Sequence, residues 1–324
     1  MLTKSVVTAT TTDFSTDVRA GLTKQGQKEL PSKYLYDPLG SKLFEAICEL
    51  PEYGVTRADE RVLRAHAHEL AARVPGPLLV CELGSGSGRK TRWVLEALAR
   101  RRQISYFPIE ISPEALAVCR RELSDIDSLA IVGLEREYLG GLLEVAARRE
   151  EGQRLLVLFL GSTIGNFSDP GDIDFLREIR FILQPGDALL LGTDLTKPTA
   201  QLIDAYDDPL GVTAAFNLNL LTRINRELGG DFDLRQFGHH AIFNSATNSV
   251  EMHLAARGNQ TISVRGAGLT VDFKSGETIW TENSHKYSVR EVWQKAESAG
   301  FRVEAQWIDR DWPFAESLLV ADVE

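Results

Sequence analysis

One stretch constrains this chain more than any other: Leu78-Leu79-Val80-Cys81-Glu82-Leu83, followed at once by Gly84-Ser85-Gly86-Ser87-Gly88. The apolar run predicts a buried strand and the glycines a turn. Trp93, Val94, Leu95, Leu98 and Ala99 then stand at helical spacing. A strand, a turn without side chains and a helix start let backbone N–H groups approach a ligand closely, as cofactor sites require. It is not a dinucleotide fingerprint, because Arg89 stands where the third glycine of G-x-G-x-x-G belongs, and the loop before Lys90 is too short for a Walker motif. Alone, the turn fits an unrelated α/β protein equally well. Tyr106-Phe107-Pro108-Ile109-Glu110 shifts the balance, since an acid ending the next strand can accept both ribose hydroxyls of a nucleoside.

The pattern Glu82-x-Gly84-x-Gly86-x-Gly88 resembles the first motif of the S-adenosylmethionine-dependent methyltransferases. That resemblance implies S-adenosylmethionine as cofactor, held by Gly84, Ser85, Gly86, Lys90 and Glu110, with Leu134 and Glu135 beside the adenine. Composition leaves such an enzyme open. A net charge of −10 argues against a nucleic-acid surface, and Arg100-Arg101-Arg102 reads as complementing the dipole of its own helix end. Three cysteines without a C-x-x-C suggest neither disulfides nor zinc, so a reducing cytoplasm is expected. Cys81 reads as core, and no apolar stretch reaches membrane-spanning length.

From Leu78 onward strand and helix alternate: strands at 78–83, 104–109, 129–132, 155–160 and 188–193, helices at 91–101, 113–123, 135–149 and 173–183. This predicts an α/β fold with a parallel, doubly wound sheet. Ligands bind beyond the carboxyl ends of such strands, which gathers 84–88, Glu110, 133–135, 161–166 and Asp194. Before the sheet, residues 1–13 are threonine-rich and expected to be frayed. Val18 and Leu22 mark a helical patch, Ser41 is read as the cap of a helix to Leu50, and Thr56 as the cap of one to Arg73. After it, helices are expected to about Tyr206 and over 212–228, ended by Gly229-Gly230. The period then changes to two, with a hairpin at 241–244 and 250–257 and strands at 260–264 and 269–273. Ser288 caps a last helix, and two strands close the chain. The reading is a Rossmann-like methyltransferase sheet over 57–194 and 287–324, with an α+β substrate-binding domain formed by 1–56 and 195–286.

Several blocks together resemble one family, the L-histidine Nα-methyltransferases that make hercynine for ergothioneine biosynthesis. They are Tyr36-Asp37-x-x-Gly40-Ser41-x-Leu43-Phe44, Leu50-Pro51-Glu52-Tyr53, Phe159-Leu160-Gly161-Ser162-Thr163-Ile164-Gly165-Asn166, Leu191-Gly192-Thr193-Asp194 and Ala205-Tyr206-Asp207-Asp208. The runs 211–217 and 225–228 match too. The resemblance implies trimethylation of the histidine α-amine, with Asn166 and Tyr206 on the carboxylate and Tyr36 and Tyr53 near the amine. It further implies Glu282 and Ser284 on the imidazole, Met252 beside the ring, and Gly161 and Thr163 lining the site. The chemistry agrees, since a carboxylate accepts the ring N–H and a hydroxyl satisfies the second nitrogen. The implied partner is a small molecule, with no nucleic acid, membrane or obligate protein partner.

Two positions depart from the family pattern. Gly133-Leu134-Glu135 replaces a Gly-Asp-Phe, leaving the adenine amino group to Glu135 or backbone, and Gly54 replaces a second tyrosine beside Tyr53. The rival readings are methylation of another aromatic amino acid such as tryptophan, or a cofactor-binding module without turnover. An indole offers one donor and no second nitrogen, so Glu282 and Ser284 weigh against tryptophan. None of the six histidines reads as a metal ligand, and His239-His240 is expected at a solvated turn.

Overall fold

The computed structural model describes residues 11–167 and 170–322, so residues 1–10 of the threonine-rich start lie outside the described residues. The chain forms two compact units: a larger one of Val55–Thr196 and Lys286 onward, and a smaller one of the chain up to Gly54 with Lys197–His285.

The larger unit is built on one sheet whose strands lie in the order Phe301–Asp309, Phe314–Ala321, Ala188–Asp194, Arg154–Phe159, Leu78–Leu83, Ile104–Glu110, Leu129–Ile131. The two-residue strand Leu134–Glu135 extends alongside Ile104–Glu110. The five strands from Leu78 to Asp194 pair in parallel, and Phe314–Ala321 joins antiparallel. This is the Rossmann-like α/β sheet expected. Leu78–Leu83 is buried along its whole length. Leu79, Cys81 and Leu83 pack with Phe107, Ile109, Val157 and Phe159, while Leu78 and Val80 pack on the opposite face with Tyr106, Leu156 and Leu158. Two covered faces explain a continuous apolar run instead of an alternating one. Each such side chain contributes about 1.5–3 kcal/mol through burial. The sheet order reverses between Leu78–Leu83 and Arg154–Phe159, the switch point where open α/β sheets leave a crevice.

In the smaller unit a four-stranded sheet runs Lys28–Glu29, Thr278–His285, Ser249–Ala256, Phe237–Asn244, with a separate hairpin of Gln260–Val264 and Leu269–Phe273. The helix Val212–Leu228 buries Phe216, Leu220, Leu221, Ile224 and Leu228, and Gly229 at φ 61° ends it. No helix among the described residues is long and apolar enough to cross a membrane.

Several local expectations need correction. The helix carrying Phe44 spans Pro38–Cys48 and is capped by Asp37, not Ser41: Asp37 Oδ1 accepts the Gly40 N–H at 2.7 Å, and Pro38 occupies the first turn. Thr56 lies inside the helix Val55–Arg73 rather than at its cap. The helix expected from Glu135 runs over Tyr138–Ala146, because Leu134 and Glu135 pair with Ile109 and Glu110 as strand. Arg102 does not serve its own helix end; its guanidinium donates to the carbonyl of Ala71 in the last turn of Val55–Arg73 and to those of Val74 and Gly76 just beyond it. Thr278–His285 is a further strand, in which Trp, Glu, Asn and Ser obscure any alternation.

Asp37 does more than cap. It also accepts from Asn219 Nδ2 at 2.7 Å and from Arg226 Nη2 at 2.7 Å, tying the Tyr36 loop to the helix Val212–Leu228. Burial opposes its charge, but Arg226, the Gly40 N–H and Asn219 outweigh it and hold the carboxyl below its ordinary 3.8. A depressed carboxyl contributes stability above its unfolded value and loses it as pH falls toward the folded one. Asp37→Ala is therefore expected to lower unfolding free energy by about 2–4 kcal/mol in denaturant titrations, through the lost cap and the stranded Asn219 amide. Asp37→Asn should flatten the loss of stability below pH 4.

Candidate active site

At the carboxyl end of Leu78–Leu83 the chain turns through Gly84, Gly86 and Gly88 at φ 74°, 50° and 71°, a left-handed region that disfavours side chains. The need differs by position. A Cβ at Gly88 would stand 2.7 Å from Cys119 Sγ in the core, whereas one at Gly86 would enter open space. Ser85 Oγ is buried beside that space with no oxygen or nitrogen partner. Glu110 faces the same turn: one oxygen accepts the Gly86 N–H at 3.2 Å, the other those of Ile111 at 2.8 Å and Ser112 at 3.3 Å. Burial raises its pKa, and these three N–H groups hold the rise back. Glu110 is thus an oriented carboxylate with lone pairs left for hydroxyl donors. The turn, the space over Gly86, the buried Ser85 hydroxyl and Glu110 fit an adenosine-bearing cofactor. Leu134 packs in the core, so only its backbone remains for an adenine, and Glu135 is exposed beside it.

The second turn at this end follows Arg154–Phe159. Gly161 at φ 73° and Ser162 at φ 60° are consecutive left-handed residues, after which Thr163–Asn166 form one 3-10 turn. Ser162, for which this backbone is unfavourable, is locked by accepting the Asp194 N–H at 2.8 Å, and Thr163 donates to the Leu160 carbonyl at 3.1 Å. The Gly161 N–H donates at 3.0 Å to Asp59 Oδ2, which also pairs with Lys90 Nζ at 2.6 Å. Burial alone would depress Lys90, but Asp59 overrides it and raises the ammonium pKa. Lys90 therefore stands in an ion pair that joins the two turns. Asp194, expected at this mouth, is fully buried, bonded to Lys286 at 3.0 Å and Trp312 Nε1 at 2.9 Å, so its side chain is structural.

The smaller unit brings together the other group. Tyr206, ending the helix Thr199–Tyr206, has its hydroxyl 2.8 Å from Ser284 Oγ. Glu282 lies directly across the strand pair from Met252, and Ser284 across from Val250. Tyr53 stands edge-on to Tyr206 with ring centroids 6.0 Å apart, Phe44 lies 6.3 Å from Tyr53, and Tyr36 packs 5.4 Å from Phe44 and 5.5 Å from Phe216. Burial drives the Tyr53 hydroxyl well above its ordinary 10, so at neutral pH it remains a phenol. His239 is not at a solvated turn. It sits within Phe237–Asn244, where Nδ1 takes the Asn217 amide at 2.9 Å and Nε2 meets the Tyr206 carbonyl at 2.8 Å. Burial lowers its pKa, and in the neutral tautomer its N–H caps the helix that carries Tyr206.

The model of the family described as histidine-specific methyltransferase, SAM-dependent, matches residues 14–321. The chain belongs to this family. It is similar to the histidine N-alpha-methyltransferases of Mycobacterium tuberculosis, 43% identical over 93% of each chain, and of Mycolicibacterium smegmatis, 43% identical over 94% of each. Ergothioneine biosynthesis protein 1 of Neurospora crassa is 29% identical over 88% of this chain, which spans 32% of that protein.

Several residues of this histidine-specific methyltransferase were missed in the sequence. Asp59 lies mid-helix and gave no signal. Phe44 and Phe216 lie inside matched blocks, but their aromatic partners are far apart in sequence and become visible only when folded. Glu110→Ala is expected to weaken S-adenosylmethionine binding about tenfold to a hundredfold in calorimetric titrations, the loss of one or two hydrogen bonds to a charged acceptor.

Proposed function

We propose that this methyltransferase carries the α-amino group of L-histidine through three methylations to Nα,Nα,Nα-trimethylhistidine, hercynine, the first step of ergothioneine biosynthesis. The observation that carries the reading is the grouping of Glu282, Ser284 and Met252 on one sheet face, with the helix residue Tyr206 bonded to Ser284, in a chain of the histidine-specific family. Glu282 accepts the imidazole N–H, Ser284 satisfies the second ring nitrogen, Met252 packs beside the ring, and Tyr206 holds the carboxylate, a role the family resemblance also implies for Asn166. The Tyr206–Ser284 hydrogen bond links the carboxylate and imidazole readers, so a misplaced ring disturbs both. A site built around donors and acceptors of this kind discriminates by leaving its own polar atoms unpaired when the analogue lacks them. A cytoplasmic setting accords with three free cysteines.

When bound, S-adenosylmethionine supplies a methyl group on a sulfonium. Everything else falls to the protein. Only a neutral amine has a lone pair, so a proton must leave before each transfer. Tyr53 cannot take it as phenolate, because its hydroxyl stays protonated far above neutral pH. It accepts a hydrogen bond from an amine N–H instead and orients the lone pair, while desolvation lowers the ammonium pKa and water takes the proton. As methyls replace N–H donors, the faces of Tyr36 and Tyr53 suit the growing cation.

The test is purified protein with S-adenosylmethionine and each of the twenty amino acids, read by mass spectrometry. Histidine alone should gain three methyl groups. Methylation of tryptophan instead would overturn the pocket assignment, and no product from any amino acid would overturn the enzyme. A second expectation concerns the stages: Tyr53→Phe should raise the share of mono- and dimethylhistidine, and an unchanged product distribution would remove Tyr53 from the mechanism.

A further inference from the structure

The strand that carries Glu282 and Ser284 is not regular. Ile279 lies opposite Leu254 and Trp280 opposite His253, but the next paired residue is Glu282, opposite Met252; Thr281 is an extra residue in the ladder. Residues directly opposite share a face, and successive residues alternate. Ile279 and Leu254 are fully buried on the inner face. An unbroken strand would put Thr281, Asn283 and His285 on that face and turn Glu282 outward, directly opposite Glu251. The extra residue reverses the parity. Glu282 and Ser284 then fall on the face of Ile279, Met252 and Val250, where Tyr206 meets Ser284.

A bulge breaks ladder hydrogen bonds, and two side chains replace them here. Thr281 Oγ1 donates to the Met252 carbonyl at 2.9 Å, and Trp280 Nε1 donates to the Glu282 carbonyl at 2.8 Å. The indole is in turn held parallel to the His253 ring, centroids 6.4 Å apart, and His253 Nε2 lies 3.2 Å from Glu251 Oε2. The indole thus grips the backbone of the residue whose carboxylate reads the substrate.

We propose that this bulge, pinned by the Trp280 indole and the Thr281 hydroxyl, aims Glu282 and Ser284 at the substrate ring, which makes Trp280 and Thr281 positioning residues for histidine selectivity. The assignment rests on the histidine reading above. Bulges re-aim side chains beside functional sites, and slipping back would set Glu282 against Glu251, two like charges in direct opposition.

Trp280→Phe keeps a ring for His253 and removes only the N–H; Thr281→Val keeps the shape and removes only the hydroxyl. Each is assayed by steady-state kinetics with histidine, with S-adenosylmethionine affinity measured by calorimetry as a control for folding. The expected result is a histidine KM raised about five- to tenfold in either variant, as for one lost hydrogen bond, with kcat and cofactor affinity within twofold of wild type. A histidine KM that stays at the wild-type value in both variants, or a kcat that falls with KM unchanged, overturns the positioning role. Wild-type protein that leaves histidine unmethylated overturns the functional reading, and the proposal falls with it.

Discussion

Three buried carboxyl groups, Asp59, Glu82 and Glu316, gather near the partly buried ammonium of Lys90 at the carboxyl end of the parallel strands, and the two turns there depend on how these charges are settled. Lys90 neutralises Asp59 directly, and Asp59 can then hold the Gly161 N–H. Glu82 is neutralised by no contact of its own; it accepts from Thr91 Oγ1 at 2.8 Å and from the Tyr106 hydroxyl, and burial pushes its pKa up to about 7. Glu316, buried, is driven far above its ordinary value by burial and by Asp59, which favours its neutral form. A carboxyl raised in this way stabilises the fold fully below its unfolded value, and the contribution fades as pH rises toward the folded one. The same cluster explains a glycine. A Cβ at position 192 would stand 2.6 Å from Glu316 Oε1 and 3.1 Å from the Gly161 nitrogen, so Gly192 leaves room for the acid and the turn together.

That arrangement indicates why the parallel sheet was legible in the sequence. Strands covered on both faces must be apolar throughout, and the glycines that follow them must take positive φ, so both leave marks that one chain suffices to read. Leu78–Leu83 and its turn, the helix Pro113–Leu123 and the helix Val212–Leu228 lie where the residues placed them. The caps were harder. Ser41 and Thr56 are acceptable cap residues, but Asp37 is chosen because Asn219 and Arg226 also converge on it, and they are distant in sequence.

The strand Thr278–His285 is obscure for a sharper reason. Period-two reading assumes an unbroken ladder, and one extra residue at Thr281 inverts everything after it. Trp280 and Thr281 carry no local signal of this, since their partners are a backbone carbonyl two residues on and one in the neighbouring strand. Glu282 and Ser284 could be singled out only through the family resemblance. His239 is obscure likewise: two adjacent histidines suggest solvent, yet one of them faces Asn217 and the Tyr206 carbonyl.

The aromatic group in the smaller unit bears on the stages of the proposed reaction. A site that held the amine by strong acceptors alone would grip the unmethylated substrate best and lose contacts with each methyl, disfavouring the later rounds. Tyr53 instead offers one neutral hydroxyl, held as phenol by burial, within a set of rings that includes Tyr36, Phe44, Tyr206 and Phe216. Ring faces attract a cation whether or not it carries N–H donors, at about 0.5–2 kcal/mol per contact. Affinity lost from hydrogen bonds is thereby offset as the nitrogen becomes quaternary. Under the proposed function the carboxylate and imidazole contacts are the same in every round, so only the environment of the nitrogen has to adapt.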